Sequence, residues 1–276
     1  GLLSGIAWNL LTWYFGLPSS SSHALIGGIV GSTLAAAHSD WSVVNLTGEG
    51  GIIKKIIIPM FTSPVLGLVI GFILMGFLYY LLRNWRPIWV NRVFGKLQLV
   101  SSAWMAYGHG MNDAQKTMGI IALSLVAATK AGAFESLPDF LSFLKTPEPE
   151  AGQKLEIAFW IKFICAITMA AGTWAGGWKI IKTLGHRMVK LQPVHGFAAE
   201  STAATIIQIA SHAGIPLSTT HVISSSIMGV GAAKRFSAVK WSVVERMVWA
   251  WLLTIPICAG LGYLLVRVAQ ALNWMQ

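Results

Sequence analysis

The stretch Gly16-Leu-Pro-Ser-Ser-Ser-Ser-His23 occurs a second time as Gly214-Ile-Pro-Leu-Ser-Thr-Thr-His221, 198 residues further along the chain. Proline, one serine and histidine are identical in both copies, and the next two serines of the first copy face two threonines of the second. Chance rarely supplies such a run, so the sequence contains an internal duplication. Each copy separates two short apolar pieces, within the segments 1–37 and 191–233. Paired half-helices that meet inside a membrane fit this pattern better than full crossings.

The composition places the chain in a membrane. Hydrophobic residues make up 55% of its 276 residues, charged residues 11%, and the mean hydropathy is +0.64. A soluble domain carries about 25% charged residues. These proportions therefore exclude a soluble enzyme, a disordered tail and a nucleic-acid-binding protein, and they predict an all-α polytopic membrane protein. The net charge of +10 comes from basic residues scattered between apolar spans, which fits cytoplasmic loops rather than a nucleic-acid partner.

Loop charge gives the direction of four apolar segments that are each long enough to cross a bilayer. The predicted spans are 54–82, 97–126, 157–178 and 247–268. The basic stretches that we predict to be cytoplasmic are 83–96, 179–190 and 234–246, and the acidic stretches that we predict to lie outside are 38–50 and 129–156. On this path the two hairpins enter from opposite sides. The sequence therefore predicts inverted-topology repeats with re-entrant half-helix hairpins, which are typical of secondary transporters.

The hairpin tips predict a site for a small oxyanion. Pro18 and Pro216 suit the start of a half-helix, and the residues that follow present N–H groups at the positive end of the helix dipole. Hydroxyl groups add donors without adding charge. The hydroxyl residues predicted to bind substrate are Ser20, Ser21, Ser22, Ser218, Thr219 and Thr220. Side chains that merely cap helices would explain one such stretch, but two matched stretches favour a binding site.

A second polar group, His109-Gly-Met-Asn-Asp113-Ala-Gln-Lys116, lies within the predicted span 97–126. Ionisable groups inside an apolar crossing are costly, so they mark ion or substrate pathways. Gly108 and Gly110 predict a break in this transmembrane helix. The further residues predicted to bind substrate are Asn112 and Asp113, and those predicted to act on the coupling ion are Asp113, Lys116 and Glu200. Sodium would take oxygen ligands from Asn112, Asp113 and Glu200, whereas a proton would need one carboxylate.

Structural roles are alternatives for several of these groups. Asp113 and Lys116 would share a helix face and could form an ion pair within the bundle. Glu200 could bond only to a neighbouring backbone group. His23 and His221 could titrate near neutral pH, but we interpret them as hydrogen-bonded packing residues. The sequence has no His/Cys ligand cluster, Walker loop or dinucleotide fingerprint, so we expect no cofactor.

These motifs resemble those of the inorganic phosphate transporter family, the PiT permeases, in its bacterial branch. His109-Gly-Met-Asn-Asp113 and Pro216-Leu-Ser-Thr-Thr-His221 match the C-terminal copy of the family signature, and Pro18-Ser-Ser-Ser-Ser-His23 matches the N-terminal hairpin. Gly196-Phe-Ala-Ala-Glu200 resembles the run ahead of that hairpin. The resemblance implies a multi-pass protein of the inner (plasma) membrane that is not an enzyme. It would take up inorganic phosphate by alternating access, coupled to H⁺ or Na⁺, with both copies of each motif at one central site.

The chain departs from the family pattern in two places. The N-terminal Asn-Asp helix has no counterpart here, so we expect the natural protein to extend beyond Gly1. Residues 1–96 would then be the remainder of the N-terminal repeat and 97–276 the C-terminal repeat. Lys116 stands where the family often has asparagine, and its fixed ammonium could replace one cation, which favours a proton as the coupling ion.

Two other function classes stay open at this point. One is a membrane channel whose pore is lined by His23 and His221, and the other is an intramembrane serine hydrolase. The hydrolase would need one privileged serine, whereas the chain presents runs of them. The sequence leaves both a monomer and a homo-oligomer open.

Overall fold

Helices form all the regular structure in the part of the chain that this computed structural model describes, residues 1–150, 153 and 155–273. The α-helices are α1 (Leu2–Tyr14), α2 (Ser21–Ala36), α3 (Ile58–Leu82), α4 (Pro87–Lys130), α5 (Phe159–Lys182), α6 (Pro193–His212), α7 (Thr219–Lys234) and α8 (Trp241–Ala271). The all-α prediction is confirmed. Three residues of the predicted outside loop 129–156, and the last three of the predicted C-terminal repeat, lie outside the described residues.

Three helices among the described residues are long and apolar enough to cross a membrane. They are Ile53–Leu82, Phe159–Met188 and Trp241–Ala271, and they overlap the predicted spans 54–82, 157–178 and 247–268. A π-helical segment extends α3 at its start, and another extends α5 at its end. The membrane class is therefore confirmed.

The fourth predicted span, 97–126, is not among these three helices. It lies within α4, which is helical without interruption from Pro87 to Lys130. The break predicted at Gly108 and Gly110 is wrong. Glycine inside a helix costs only about 1 kcal/mol relative to alanine, so two glycines do not by themselves end a helix whose neighbouring turns are stable.

By its contacts the chain divides into two compact units, one formed by Gly1–His109 with Gly176–Gln276 and the other by Gly110–Ala175. In the smaller unit, Ala122 of α4 packs against Ile161 and Cys165 of α5. The two cysteines, Cys165 and Cys258, are free and buried. The larger unit contains both hairpins.

The predicted hairpins are helix–turn–helix units, α1 with α2 and α6 with α7. Both turns begin at a glycine in the left-handed region, with φ 66° at Gly16 and 64° at Gly214, where a side chain would be strained. Each turn ends in extended backbone, with φ −93° and ψ 110° at Ser20 and φ −86° and ψ 108° at Ser218. The duplicated sequence therefore folds into duplicated turns, and the interruptions predicted within 1–37 and 191–233 are present.

The second helix of each hairpin packs against a long helix from the opposite part of the chain, α2 against α8 and α7 against α3. Corresponding glycines allow this. A Cβ atom on Gly31 would collide with the carbonyl oxygen of Ala259, and a Cβ atom on Gly229 would collide with that of Leu68. Small residues permit such close approach of two backbones in membrane helices. Each hairpin is therefore held by a long helix from the other part of the chain, at a close contact that requires glycine.

Candidate functional site

The tips of the two hairpins meet at a pair of buried histidines. The ring centroids of His23 and His221 lie 4.9 Å apart, and each histidine is in the first turn of its helix, α2 or α7. Trp251 of α8 joins the tips, because its indole N–H donates to the carbonyl oxygen of Pro18 at 3.0 Å and its ring stacks on His221. The N-termini of α2 and α7 are therefore close together.

Ser20 and Ser218 are the N-cap residues of α2 and α7. The Oγ atom of Ser20 accepts a hydrogen bond from the backbone N–H of His23, and that of Ser218 accepts one from His221, each at 3.2 Å. Helix capping, the structural alternative to anion binding for these serines, is thus present at both tips. A hydroxyl oxygen that accepts such a bond still carries its own hydrogen, so capping is compatible with donation to a substrate.

The four hydroxyl residues that follow the caps differ in exposure. Ser22 and Thr219 are buried, Thr220 is half-buried and Ser21 is exposed. All four lie in the first turn of α2 or α7, where backbone N–H groups and the helix dipole favour an anion. The structure thus brings the six predicted hairpin residues to two neighbouring helix ends.

The predicted residues of α4 form a polar cluster in the smaller unit. Asn112 Nδ2 donates to Asp113 Oδ1 at 2.9 Å, and Lys116 Nζ lies 3.4 Å from the same oxygen. Lys116 and Asp113 are largely buried, with side-chain exposures of 18% and 11%. The ion pair that the spacing allowed is therefore present, one turn apart on a single helix face.

Glu200 is bound by α4. This half-buried carboxylate of α6 accepts a hydrogen bond from Ser101 Oγ at 2.6 Å. Its partner is a side chain rather than only a neighbouring backbone group, which was the structural alternative. The short distance is typical of a hydroxyl that donates to a carboxylate.

One connection at the start of α6 has no local sequence signal. His195 Nδ1 accepts a hydrogen bond from the backbone N–H of Gln192 at 3.1 Å, and its Nε2 lies 2.9 Å from the hydroxyl oxygen of Tyr79. Because Nδ1 is an acceptor, Nε2 carries the hydrogen and donates to Tyr79. This pair fixes the start of α6 to α3, and its partners are 116 residues apart in sequence.

A second duplicated motif lies in the helices that hold the hairpins. Thr62-Ser-Pro64 of α3 and Thr254-Ile-Pro256 of α8 share a Thr-x-Pro pattern, and both prolines are inside their helices. An internal proline removes one hydrogen bond of the helix ladder. The signal was available in the sequence as a second self-match, at an offset of 192 residues.

Comparison with known proteins assigns the chain to a family. Residues 1–262 match the model of the Phosphate transporter family. The chain belongs to this family. The resemblance inferred from the Asn-Asp and Ser/Thr-His motifs is thereby confirmed. Since the family is one of transporters, the expectation that the chain is not an enzyme is also confirmed, and the serine hydrolase alternative is set aside.

Similar members of the phosphate transporter family come from several bacteria. The chain is 42% identical over 261 residues to a probable low-affinity inorganic phosphate transporter of Bacillus subtilis, covering 95% of this chain and 71% of the relative. It is 40% identical over 264 residues to a probable low-affinity inorganic phosphate transporter of Mycobacterium tuberculosis, covering 95% of this chain and 57% of the relative. The chain thus spans little more than half the length of the mycobacterial relative.

The family fold is also seen in a solved structure, described as the sodium-dependent phosphate transporter. The TM-score is 0.60 with 19% sequence identity, and the match covers 98% of this chain and 78% of the other. At this identity the likeness supports the fold of the chain, and the ion named in the description is a property of that transporter.

Proposed function

We propose that the protein containing this chain is a plasma-membrane symporter that takes up inorganic phosphate with a coupling ion by alternating access. The observation that carries the proposal is the meeting of two duplicated, serine-capped helix N-termini at His23 and His221. Relatives that are 40–42% identical to this chain are probable phosphate transporters, which supports the choice of anion.

Phosphate would bind between the two helix ends. Each N-terminus carries a partial positive charge and directed N–H donors. Hydroxyl donors in the first turns would complete the shell around the phosphate oxygens at about 2.7–3.2 Å. The proposed substrate-binding residues are Ser20, Ser21, Ser22, Asn112, Asp113, Ser218, Thr219 and Thr220.

The repeats would give the two access states. Residues 1–96 and 97–276 are proposed to be related by inverted topology, with re-entrant hairpins that enter from opposite sides. The matching turns and the exchanged packing of α2 on α8 and α7 on α3 support this relation. Rocking one repeat against the other would open the hairpin tips first to one side and then to the other.

The proposed coupling ion is a proton, carried by Asp113. Lys116 Nζ lies 3.4 Å from Asp113 Oδ1, the oxygen that also accepts from Asn112, so a sodium ion at this oxygen would meet an ammonium group. Phosphate arrival would add negative charge and favour protonation of a nearby carboxylate, and by linkage protonation would favour phosphate binding. Glu200, bonded to Ser101, is the second carboxylate proposed to act on the ion.

Radiolabelled phosphate uptake into proteoliposomes of the complete natural protein tests the proposal. Uptake is expected to follow an inward proton gradient and to change little when sodium is added at fixed pH. Asp113→Asn should abolish coupled uptake, since the carboxylate is the proton carrier. Lys116→Asn should shift the dependence towards sodium, because it removes the competing ammonium group. Lys130→Gln, an exposed lysine that pairs with Glu148 of the same unit, is the control and should leave uptake unchanged.

Two outcomes would contradict the proposal. Strict dependence on sodium with Lys116 intact would reject the proton as the driver. Uptake that only equilibrates phosphate, and that an uncoupler does not reduce, would reject symport and favour the channel alternative. That alternative has one observation in its favour, the contact between the two histidine rings.

A further inference from the structure

A cavity lined by basic residues lies at the ends of helices remote from the hairpin tips. Its volume is about 290 Å³, close to the lower limit of roughly 300–1,000 Å³ for small-ligand pockets. We call it the basic cavity. Its charged or titratable lining residues are His186, Lys190, His195, Lys234, Arg235 and Lys240.

Four of these residues carry fixed positive charge, and none of the described acidic residues lines the basic cavity. Lys190, Lys234, Arg235 and Lys240 are exposed, and in the part of the chain that the structure describes none of them forms an ion pair with a carboxylate. His195 is not available to a ligand in this way, because both of its ring nitrogens are bonded to Gln192 and Tyr79. The cavity therefore has an unbalanced positive charge.

The floor of the basic cavity is fixed and apolar. Met188, Val189 and Val230 are buried beneath the charged groups. The backbone N–H of Lys240 donates to the carbonyl oxygen of Met188 at 3.0 Å, which ties together the two segments that supply the basic residues. An apolar floor lowers the local dielectric constant, so the attraction between the ammonium groups and an anion is stronger here than at an open surface.

The two segments that form the basic cavity, 186–190 and 230–240, overlap stretches whose charge predicts a cytoplasmic position. This side of a membrane carries anionic phospholipid headgroups, which attract juxtamembrane lysine and arginine. Lys234 is the last residue of α7, whose 16 residues begin at Thr219. At about 1.5 Å per residue the basic cavity lies roughly 22 Å from the hairpin tip, so it is separate from the proposed transport site.

We propose that the basic cavity binds a phosphate group, either as the headgroup of an anionic phospholipid or as free inorganic phosphate. Both ligands present the same chemistry, a compact anion with several acceptor oxygens that accept charge-assisted hydrogen bonds from lysine and arginine. The inference does not rest on the transport function, because none of its residues belongs to the hairpin tips or to the Asp113 cluster.

The test compares two double variants of the complete natural protein in detergent. Lys234→Gln with Lys240→Gln removes two charges from the basic cavity. Lys182→Gln with Arg187→Gln removes two charges from exposed residues of the predicted cytoplasmic stretch 179–190 that do not line the basic cavity. Lys234→Arg with Lys240→Arg keeps the charge and should keep binding, as expected if the positive charge rather than the lysine side chain itself is required. Equal thermal unfolding of the glutamine variant and the unchanged protein checks that the loss of binding does not come from misfolding.

Two arms identify the source of the phosphate group. One arm measures the affinity for phosphatidylglycerol, by counting the lipids bound to the purified protein in native mass spectrometry as the lipid concentration is raised. The other measures equilibrium binding of radiolabelled phosphate without lipid, in a Thr219→Val, Thr220→Val background that weakens the proposed transport site. The glutamine variant of the basic cavity, which lacks two lysines, is expected to lower affinity about thirtyfold in one arm, and the control less than twofold.

The arm that responds names the ligand. A response only to phosphatidylglycerol assigns the basic cavity to a lipid headgroup, and a response only to inorganic phosphate assigns it to the free anion. Equal affinities of the cavity variant and the control variant in both arms overturn the proposal, whatever the outcome of the transport experiments.

Discussion

The two hairpins have the same geometry at their tips but differ in how deeply their first helices, α1 and α6, are buried. At the tips, the glycine and serine backbone angles agree within a few degrees, and each N-cap bond is 3.2 Å long. In the arms, α6 buries residues along its whole length, whereas the buried residues of α1 are Ser4, Gly5, Trp8 and Thr12. Apolar side chains such as Leu3 and Leu10 of α1 are exposed. The comparison teaches that a short motif decides the turn, while the surroundings decide how deeply the helices are buried.

The largest expected effect is a loss of stability when a side chain is added to the glycines that contact the long helices. Gly31→Ala and Gly229→Ala should each lower the stability by about 3 kcal/mol, because the added Cβ atom would collide with a backbone carbonyl that cannot rotate away. Thermal unfolding in detergent measures both. Gly76→Ala in α3 is the control, since a Cβ atom there meets nothing within 4 Å. A tolerated Gly31→Ala beside a damaging Gly229→Ala would show that only the second hairpin is rigidly packed.

The next effect concerns phosphate affinity and separates a buried donor from an exposed one. Thr219→Val keeps the side-chain shape and removes a buried hydroxyl, and it should cost about 1.5–3 kcal/mol of binding free energy. Ser21→Ala removes the corresponding hydroxyl of the first hairpin and should cost less, because water replaces an exposed donor. Equilibrium phosphate binding by the complete protein measures both changes. Unaltered affinity in Thr219→Val would place the anion site elsewhere.

The two N-caps are expected to contribute equally. Ser20→Ala and Ser218→Ala should each cost about 1 kcal/mol of stability, because each leaves a backbone N–H of the first turn without its cap. Ser32→Ala is the matched control within α2, since its hydroxyl only donates back to the carbonyl oxygen of Ile29. Chemical unfolding in detergent measures both losses of stability. Unequal losses would mean that the two caps stabilise their helices differently despite their matching geometry.

The smallest expected effect is a pH-dependent loss of stability in the loop after α2, which the loop after α7 should not show. Asp40 accepts hydrogen bonds from the backbone N–H and the hydroxyl of Ser42, and these bonds lower the pKa of its carboxyl group. A lowered folded-state pKa gives stability that is present above the unfolded pKa, about 3.9, and is lost as pH falls through the folded value. The loop after α7 has no such carboxylate cap, because Arg235 holds the equivalent position.

Amide hydrogen exchange tests this difference. After correction for intrinsic rates, protection of Ser42 should fall as the pH drops below about 3.9, whereas protection of Ala238 in the second loop should not. Asp40→Asn should remove the pH dependence. A fall in protection that persists in Asp40→Asn would show that another group controls the loop.

Local sequence predicted the class of the protein and the tip geometry. The composition indicated membrane helices. The Gly-x-Pro-x-Ser pattern predicted two interrupted segments, because glycine, proline and an N-cap serine constrain the backbone within a few residues of themselves. Local sequence gave a wrong prediction at Gly108 and Gly110, where the predicted break is absent and α4 is continuous. Helix continuity depends on the stability of the flanking turns, which a pair of glycines does not report.

The sequence by itself determined the apolar spans, the duplication and the family, since these depend on residue type and spacing along one chain. Only the tertiary structure decided that the histidines of the two copies touch, that Trp251 bridges the tips, and that α2 packs on α8 while α7 packs on α3. It also decided that Lys190 and Lys240 share one cavity. These relations join residues far apart in sequence, and they follow from the shapes of packed helices, which no local pattern encodes.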